Sequence, residues 1–261
     1  MKFPFPLFLL ALAGCASSPM PEAPAPQDPM TPAQRVAAIH AAAGDDDREL
    51  AVQPLRDPQV DPSRIIHRPG TSIPVGALYL GDKPRTRFFD ETSADARLYR
   101  SLEAAFGGDA IYITSSTRDA STVLVESWSG RNPGDFYLYD TLGKRARHLI
   151  SRSDWIDPAQ SADVRAITLQ ARDGRPLHGF LTVPPGAPKR ALPMVVVPHG
   201  GPIGVLDDGT YSTETQMLAA AGYAVLQVNF RGSAGYGRAH AQAARKQWGA
   251  AMQDDVTDAT R

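Results

Sequence analysis

Cysteine is nearly absent: in 261 residues it occurs once, at Cys15. A single thiol excludes an intrachain disulfide and a cysteine-built zinc site, so stability must come from a packed core. Long apolar runs are missing too. The strongest, residues 3–14 behind Lys2, falls short of the roughly 20 residues that span a bilayer. Neither sign of charge dominates, with 27 Lys and Arg against 28 Asp and Glu, which leaves no electrostatic footprint for nucleic acid. Phosphate-binding signatures also fail. There is no GxxxxGK[ST], and a dinucleotide fingerprint begun at Gly235 requires glycine where His240 stands, so neither nucleotide nor cofactor is expected. His40, His67, His148, His178 and His240 have no Cys or His at ligand spacing, which argues against a metal site.

What is present divides the chain into four expected parts: residues 1–15, 16–76, 77–160 and 161–261. The first reads MKFPFPLFLLALAGC, a positive start and a short apolar stretch, the pattern of a signal peptide. Leu12-Ala13-Gly14-Cys15 resembles the lipobox of bacterial lipoproteins, in which the cysteine is lipidated and tethers the protein to a membrane. Cleavage after Ala13 instead leaves a soluble exported protein. Of the 23 prolines, many crowd into SPMPEAPAPQDPMTP at residues 18–32, an extended linker. Residues 32–43 read as a short helix, Asp45-Asp46-Asp47 as a solvated turn, and residues 48–76 as loop.

From Ala77 short alternating segments follow one another: ALYLG, AIYITSSTRDASTVLVESWS and DFYLYDTLGKRARHLI, separated by turn residues such as Gly107-Gly108 and Asn132-Pro133-Gly134. They predict an antiparallel meander of the kind found in one propeller blade, with a helix over residues 98–106. No internal repeat is visible, so a whole propeller is not expected. Residues 166–171 and 177–183 flank Arg172-Asp173-Gly174-Arg175 as a hairpin. Residues 193–197 (PMVVV) form a continuous apolar run, the mark of a strand buried on both faces. A helix over 213–221 ends at Gly222, and YAVLQVNF (223–230) is a second buried strand, giving a strand–helix–strand unit of a parallel sheet. Residues 239–248 and 254–261 look helical. The expected fold is mixed: a partial propeller-like β segment, then the first half of an α/β-hydrolase sheet.

Two glycine-bearing loops carry the chemistry. Pro198-His199-Gly200-Gly201-Pro202 follows the first buried strand, and Asn229-Phe230-Arg231-Gly232-Ser233-Ala234-Gly235-Tyr236-Gly237 follows the second. Taken with WGAAMQDD (248–255), they resemble, in order and spacing, the start of the catalytic domain in the prolyl oligopeptidase family of serine peptidases, in particular its acylaminoacyl-peptidase and dipeptidyl-peptidase-like members. The resemblance implies peptide substrates and an oxyanion hole drawn from His199, Gly200 and Gly201, with the Gly201 N–H as donor. It gives Arg231, Gly232 and Tyr236 scaffold roles, with Arg231 paired to Asp254 or Asp255. It also implies a Ser-Asp-His triad whose serine sits on a G-x-S-x-G elbow. No such elbow occurs. Gly70-Thr71-Ser72-Ile73-Pro74 fails at its last position, Ser233 has Arg231 where glycine is needed, and Ser129 has no glycine two before it. The triad is therefore expected beyond Arg261, with the fragment inactive alone. A non-catalytic envelope lipoprotein and an esterase remain the alternatives.

Overall fold

A computed structural model of the chain describes residues 55, 57, 59–81, 83–187 and 192–261. The signal peptide, Cys15, the proline-rich linker, the helix expected over 32–43 and the Asp45–Asp47 turn lie outside the described residues.

Three strands open the described part: β1 (Arg64–His67), β2 (Pro74–Tyr79) and β3 (Arg85–Phe88), antiparallel in that spatial order. The expectation of loop over residues 48–76 is thus corrected at β1 and at the start of β2. β1 is four residues long, too short for a two-residue period to show, and its conformation comes from pairing Arg64, Ile65 and Ile66 with Leu78, Ala77 and Gly76. Gly76 has to be glycine there, because a Cβ would stand 2.4 Å from the Arg87 carbonyl oxygen.

Helix α1 (Ala94–Ala105) begins four residues before the expected one, where the Ser93 hydroxyl accepts from the Ala96 N–H at 3.1 Å. It buries Ala96, Tyr99 and Leu102, spaced three apart on one face. Strands β4 (Ala110–Ser116), β5 (Thr122–Trp128), β6 (Asp135–Asp140) and β7 (Arg145–Ser151) follow as an antiparallel meander in chain order. Val123 and Val125 of β5 point the same way, both fully buried, as alternation requires. They join Ile66, Leu78 and Phe88 of the first sheet and the apolar face of α1 in one core.

The third sheet holds β8 (Asp163–Gln170), β9 (Pro176–Val183), β10 (Met194–Val196) and β11 (Ala224–Asn229), in the order β10-β11-β9-β8. β10 and β11 run parallel, joined through α2 (Thr213–Ala220), whereas β11 is antiparallel to β9. β11 is buried as expected, with Val225, Val228 and Asn229 fully enclosed. β10 is not. It is the edge strand, with β11 as its single neighbour, and Met194 is 42% exposed. A continuous apolar run signals hydrophobic character but not which strands flank it.

Two short helices close the described chain, α3 (Arg238–Gln242) and α4 (Ala251–Ala259). The helix expected over 239–248 stops early for a tertiary reason. The His240 carbonyl, which a continuing helix would offer to Ala244, instead accepts from the Gly232 N–H at 3.0 Å, and i→i−3 turns follow to Gln247. α4 packs Met252 and Ala259 against Leu226, Val228 and Phe230.

Candidate active-site loops

β10 and β11 are parallel neighbours, so the segments leaving their carboxyl ends emerge on the same side, where open α/β sheets bind ligands. The first loop carries His199, Gly200 and Gly201, and the second runs from Phe230 to Gly237. Two backbone hydrogen bonds join them: Gly204 N–H to Gly232 O at 3.0 Å and Ala234 N–H to Val205 O at 2.9 Å.

His199 locks the crossing. Its ring stacks on Phe230 with centroids 4.5 Å apart, its Nε2 lies 2.7 Å from Ser233 Oγ, and its Nδ1 lies 3.1 Å from the Gly200 carbonyl oxygen. Ser233 is fully buried, and its hydroxyl donates to the Phe230 carbonyl at 2.7 Å. The Gly200 carbonyl can only accept, so it competes with Ser233 Oγ for the single N–H of a neutral His199 ring, and the tautomer sets the direction of the His199–Ser233 hydrogen bond. Gly201 takes φ +68°, and a Cβ there would meet Val205 Cγ2 at 2.9 Å, so glycine is required. Among the described residues, the amides of Gly200 and Gly201 have no protein acceptor.

Residues 209–261 match the model of the prolyl oligopeptidase family of peptidases. Dipeptidyl aminopeptidase BIII of Pseudoxanthomonas mexicana is 32% identical over 167 residues, which is 61% of this chain and 24% of that protein. Dipeptidyl peptidase family member 6 of Caenorhabditis elegans is 28% identical over 247 residues, 83% of this chain and 33% of that one. A prolyl endopeptidase structure superposes with TM-score 0.56 at 16% identity, covering 78% of this chain and 29% of the other. Over these stretches the chain is similar to members of the prolyl oligopeptidase family. It spans a quarter to a third of the length of these curated relatives.

The second loop is anchored on three sides. Arg231 donates from its backbone N–H and Nε to Asp255 Oδ2, at 2.9 and 2.8 Å, and from Nη2 to Oδ1 at 2.6 Å. Nη2 also reaches Asp173 at 2.9 Å, and these carboxylates hold the guanidinium pKa above its ordinary value. Asp254, the other partner considered, pairs instead with Arg172 at 2.9 Å. Gly232 takes φ +105° beside Ala244. Tyr236 stacks on His178 with centroids 4.2 Å apart and packs against the cluster of Leu55, Val60 and Tyr79. Asp61 completes the tie to the first sheet: its N–H donates to Gly235 O at 2.8 Å, and its carboxylate accepts from Gly237 N–H at 2.9 Å.

The sequence reading missed Asn229, Gln227 and Asp207. Asn229 is fully buried at the end of β11. Its Oδ1 accepts from the Asp207 N–H at 2.8 Å, and its Nδ2 donates to the Asp207 carbonyl at 2.8 Å and to Tyr236 Oη at 3.2 Å. Gln227 Nε2 donates to Asp207 Oδ1 at 2.7 Å, while Oδ2 is buried and accepts no hydrogen bond from the protein. Burial pushes the Asp207 carboxyl pKa up, and His199 partly opposes it. The available signal was two amides, Gln227 and Asn229, in an otherwise apolar strand. Among the described residues, no three His, Cys, Asp or Glu side chains converge as a metal centre would require.

Proposed function

We propose that this chain carries the oxyanion-binding part of a serine peptidase, with the attacking serine, its histidine and its aspartate supplied by further sequence of the same protein. The carrying observation is the joining of two glycine-bearing loops at the carboxyl ends of adjacent parallel strands, with two backbone amides unspoken for. When a serine attacks a peptide carbonyl, the oxygen becomes an anion. A preplaced donor such as the Gly201 N–H stabilises that anion more than the ground-state carbonyl, by about 3–4 kcal/mol per donor. On this reading the third sheet is the first half of an α/β-hydrolase sheet, and β4–β7 is one propeller-like blade. The peptide enters between them.

A fluorophosphonate probe tests the proposal. The complete protein should label at a serine outside residues 1–261, and the 261-residue chain should not label. Labelling of the isolated chain would overturn the assignment. Comparing a peptide amide with an acyl ester on the complete protein then separates peptidase from esterase. The leader sequence further supports tethering to the cell envelope through lipidated Cys15. Cys15→Ala should move the protein from the membrane to the soluble fraction, and an unchanged distribution would dismiss the tether.

A further inference from the structure

A cavity of about 690 Å³ borders the second loop at Gly235 and Tyr236, and its wall includes Arg64 of β1, Arg152 just past β7, and Glu126 and Trp128 of β5. Glu126 is a side chain 5% exposed whose two oxygens are both taken. Oε2 accepts from Arg64 Nη1 at 3.0 Å, and Oε1 accepts from Arg152 Nη2 at 2.6 Å and Nε at 3.2 Å. One carboxylate thus faces two guanidinium groups, so this three-residue cluster by itself carries one net positive charge. Each guanidinium carries N–H groups on all three nitrogens. Nε and Nη2 of Arg64 and Nη1 of Arg152 are not used by Glu126, and the two side chains remain 40% and 52% exposed.

These arginines are held in place before any ligand arrives. Arg64 lies over the rings of Trp128 and Tyr112, 4.7 and 5.0 Å from their centroids. Arg152 lies 5.3 Å over Phe136, and its stem crosses Gly134, where a Cβ would stand 2.8 Å from Arg152 Cδ. Such preorganisation lowers the entropy lost on binding. The wall also carries Asp61, whose carboxylate takes the Gly237 N–H, and Asp208, which takes the Thr210 N–H at 3.0 Å and hydroxyl at 2.6 Å. Their negative charge disfavours a bare polyanion, and it suits N–H groups beside a single carboxylate. That combination is a peptide.

We infer that this cavity is a subsite for a carboxylate of the substrate peptide, gripped by Arg64 and Arg152; the inference rests on the peptidase reading above. The carboxylate comes either from the peptide's C-terminus or from an acidic side chain, and matched substrates separate the two. The complete protein is assayed on one peptide as free acid and as C-terminal amide, and on a second pair differing as Glu and Gln. One pair should show a preference for the charged member of about tenfold in kcat/KM, the worth of a charge-assisted hydrogen bond. Arg64→Gln and Arg152→Gln should each abolish most of that preference through KM while the uncharged peptide is cut as before. Gly134→Ala should act likewise, by displacing Arg152 without altering charge. Equal rates within both wild-type pairs would overturn the subsite, as would variants that slow charged and uncharged peptides alike. If no peptide is cut, the peptidase reading fails first. Calorimetry of the free acid against the amide then decides the subsite alone, with carboxylate-dependent binding lost in Arg152→Gln upholding it and equal binding dismissing it.

Discussion

Arg231 closes on Asp255 as a fork, with three donors on one carboxylate and side-chain exposures of 8% and 0%. The pair fastens the second loop to α4, two elements 24 residues apart. Removing one partner of a buried ion pair leaves the other charge stranded, which typically costs about 3–5 kcal/mol. Asp255→Asn should therefore lower the unfolding free energy measured in urea by that order, seen as a lower midpoint, eased by Asp173, which still faces Arg231. Arg231→Lys keeps the charge but not the two-pronged geometry, and it should fall in between. A midpoint unchanged in Asp255→Asn would show that the pair adds nothing to stability.

Ser233 lies beside His199 as an activated serine would, yet it is fully buried and also hydrogen-bonds to Phe230 O. Ser233→Ala should cost about 1–2 kcal/mol for two lost hydrogen bonds. The complete protein should keep its fluorophosphonate labelling. Loss of labelling with the fold intact would make Ser233 the reactive group.

Gly232 offers a steric test. An alanine there would hold φ near +105° with its Cβ 2.6 Å from Ala244 Cβ and 3.0 Å from Pro202 O. Strain and overpacking together should destabilise by about 2–4 kcal/mol in chemical denaturation. Ala244→Gly in the same chain should restore part of the loss by relieving the clash while the backbone strain stays. Full rescue would mean that strain contributes nothing.

Asp207 should make stability depend on pH. Burial raises its folded pKa above the ordinary 3.8, so the folded state keeps the proton to higher pH than the unfolded chain does. That contribution is complete below 3.8 and is lost as pH rises through the folded value. Thermal melts between pH 4 and 7 should show a smaller decline for Asp207→Asn than for the wild type. Parallel curves would remove Asp207 as the source.

Much of this was legible because local chemistry decided it. Alternation gave β5 and β6, and Gly174 turns the β8–β9 hairpin at φ +82°. The loops were found because glycine at close approaches leaves a mark in sequence. β1 escaped because four residues between prolines show no period, and α3 was overextended because the bond from Gly232 to the His240 carbonyl is not local. Asn229 and Asp207 escaped for a similar reason: a buried amide has meaning only when its partners are known.

The amino-acid order by itself determined most of the strands and helices, β1 and the length of α3 excepted, and it placed glycine where the chain must turn after β10 and β11, because those properties depend on neighbours a few residues away. Tertiary structure alone decided that β10 lies at an edge and that His199 meets Ser233. It likewise gathered Arg64 and Arg152, 88 positions apart in the numbering, onto one carboxylate. Burial and ion pairing depend on what the rest of the chain brings alongside, and no local pattern records that.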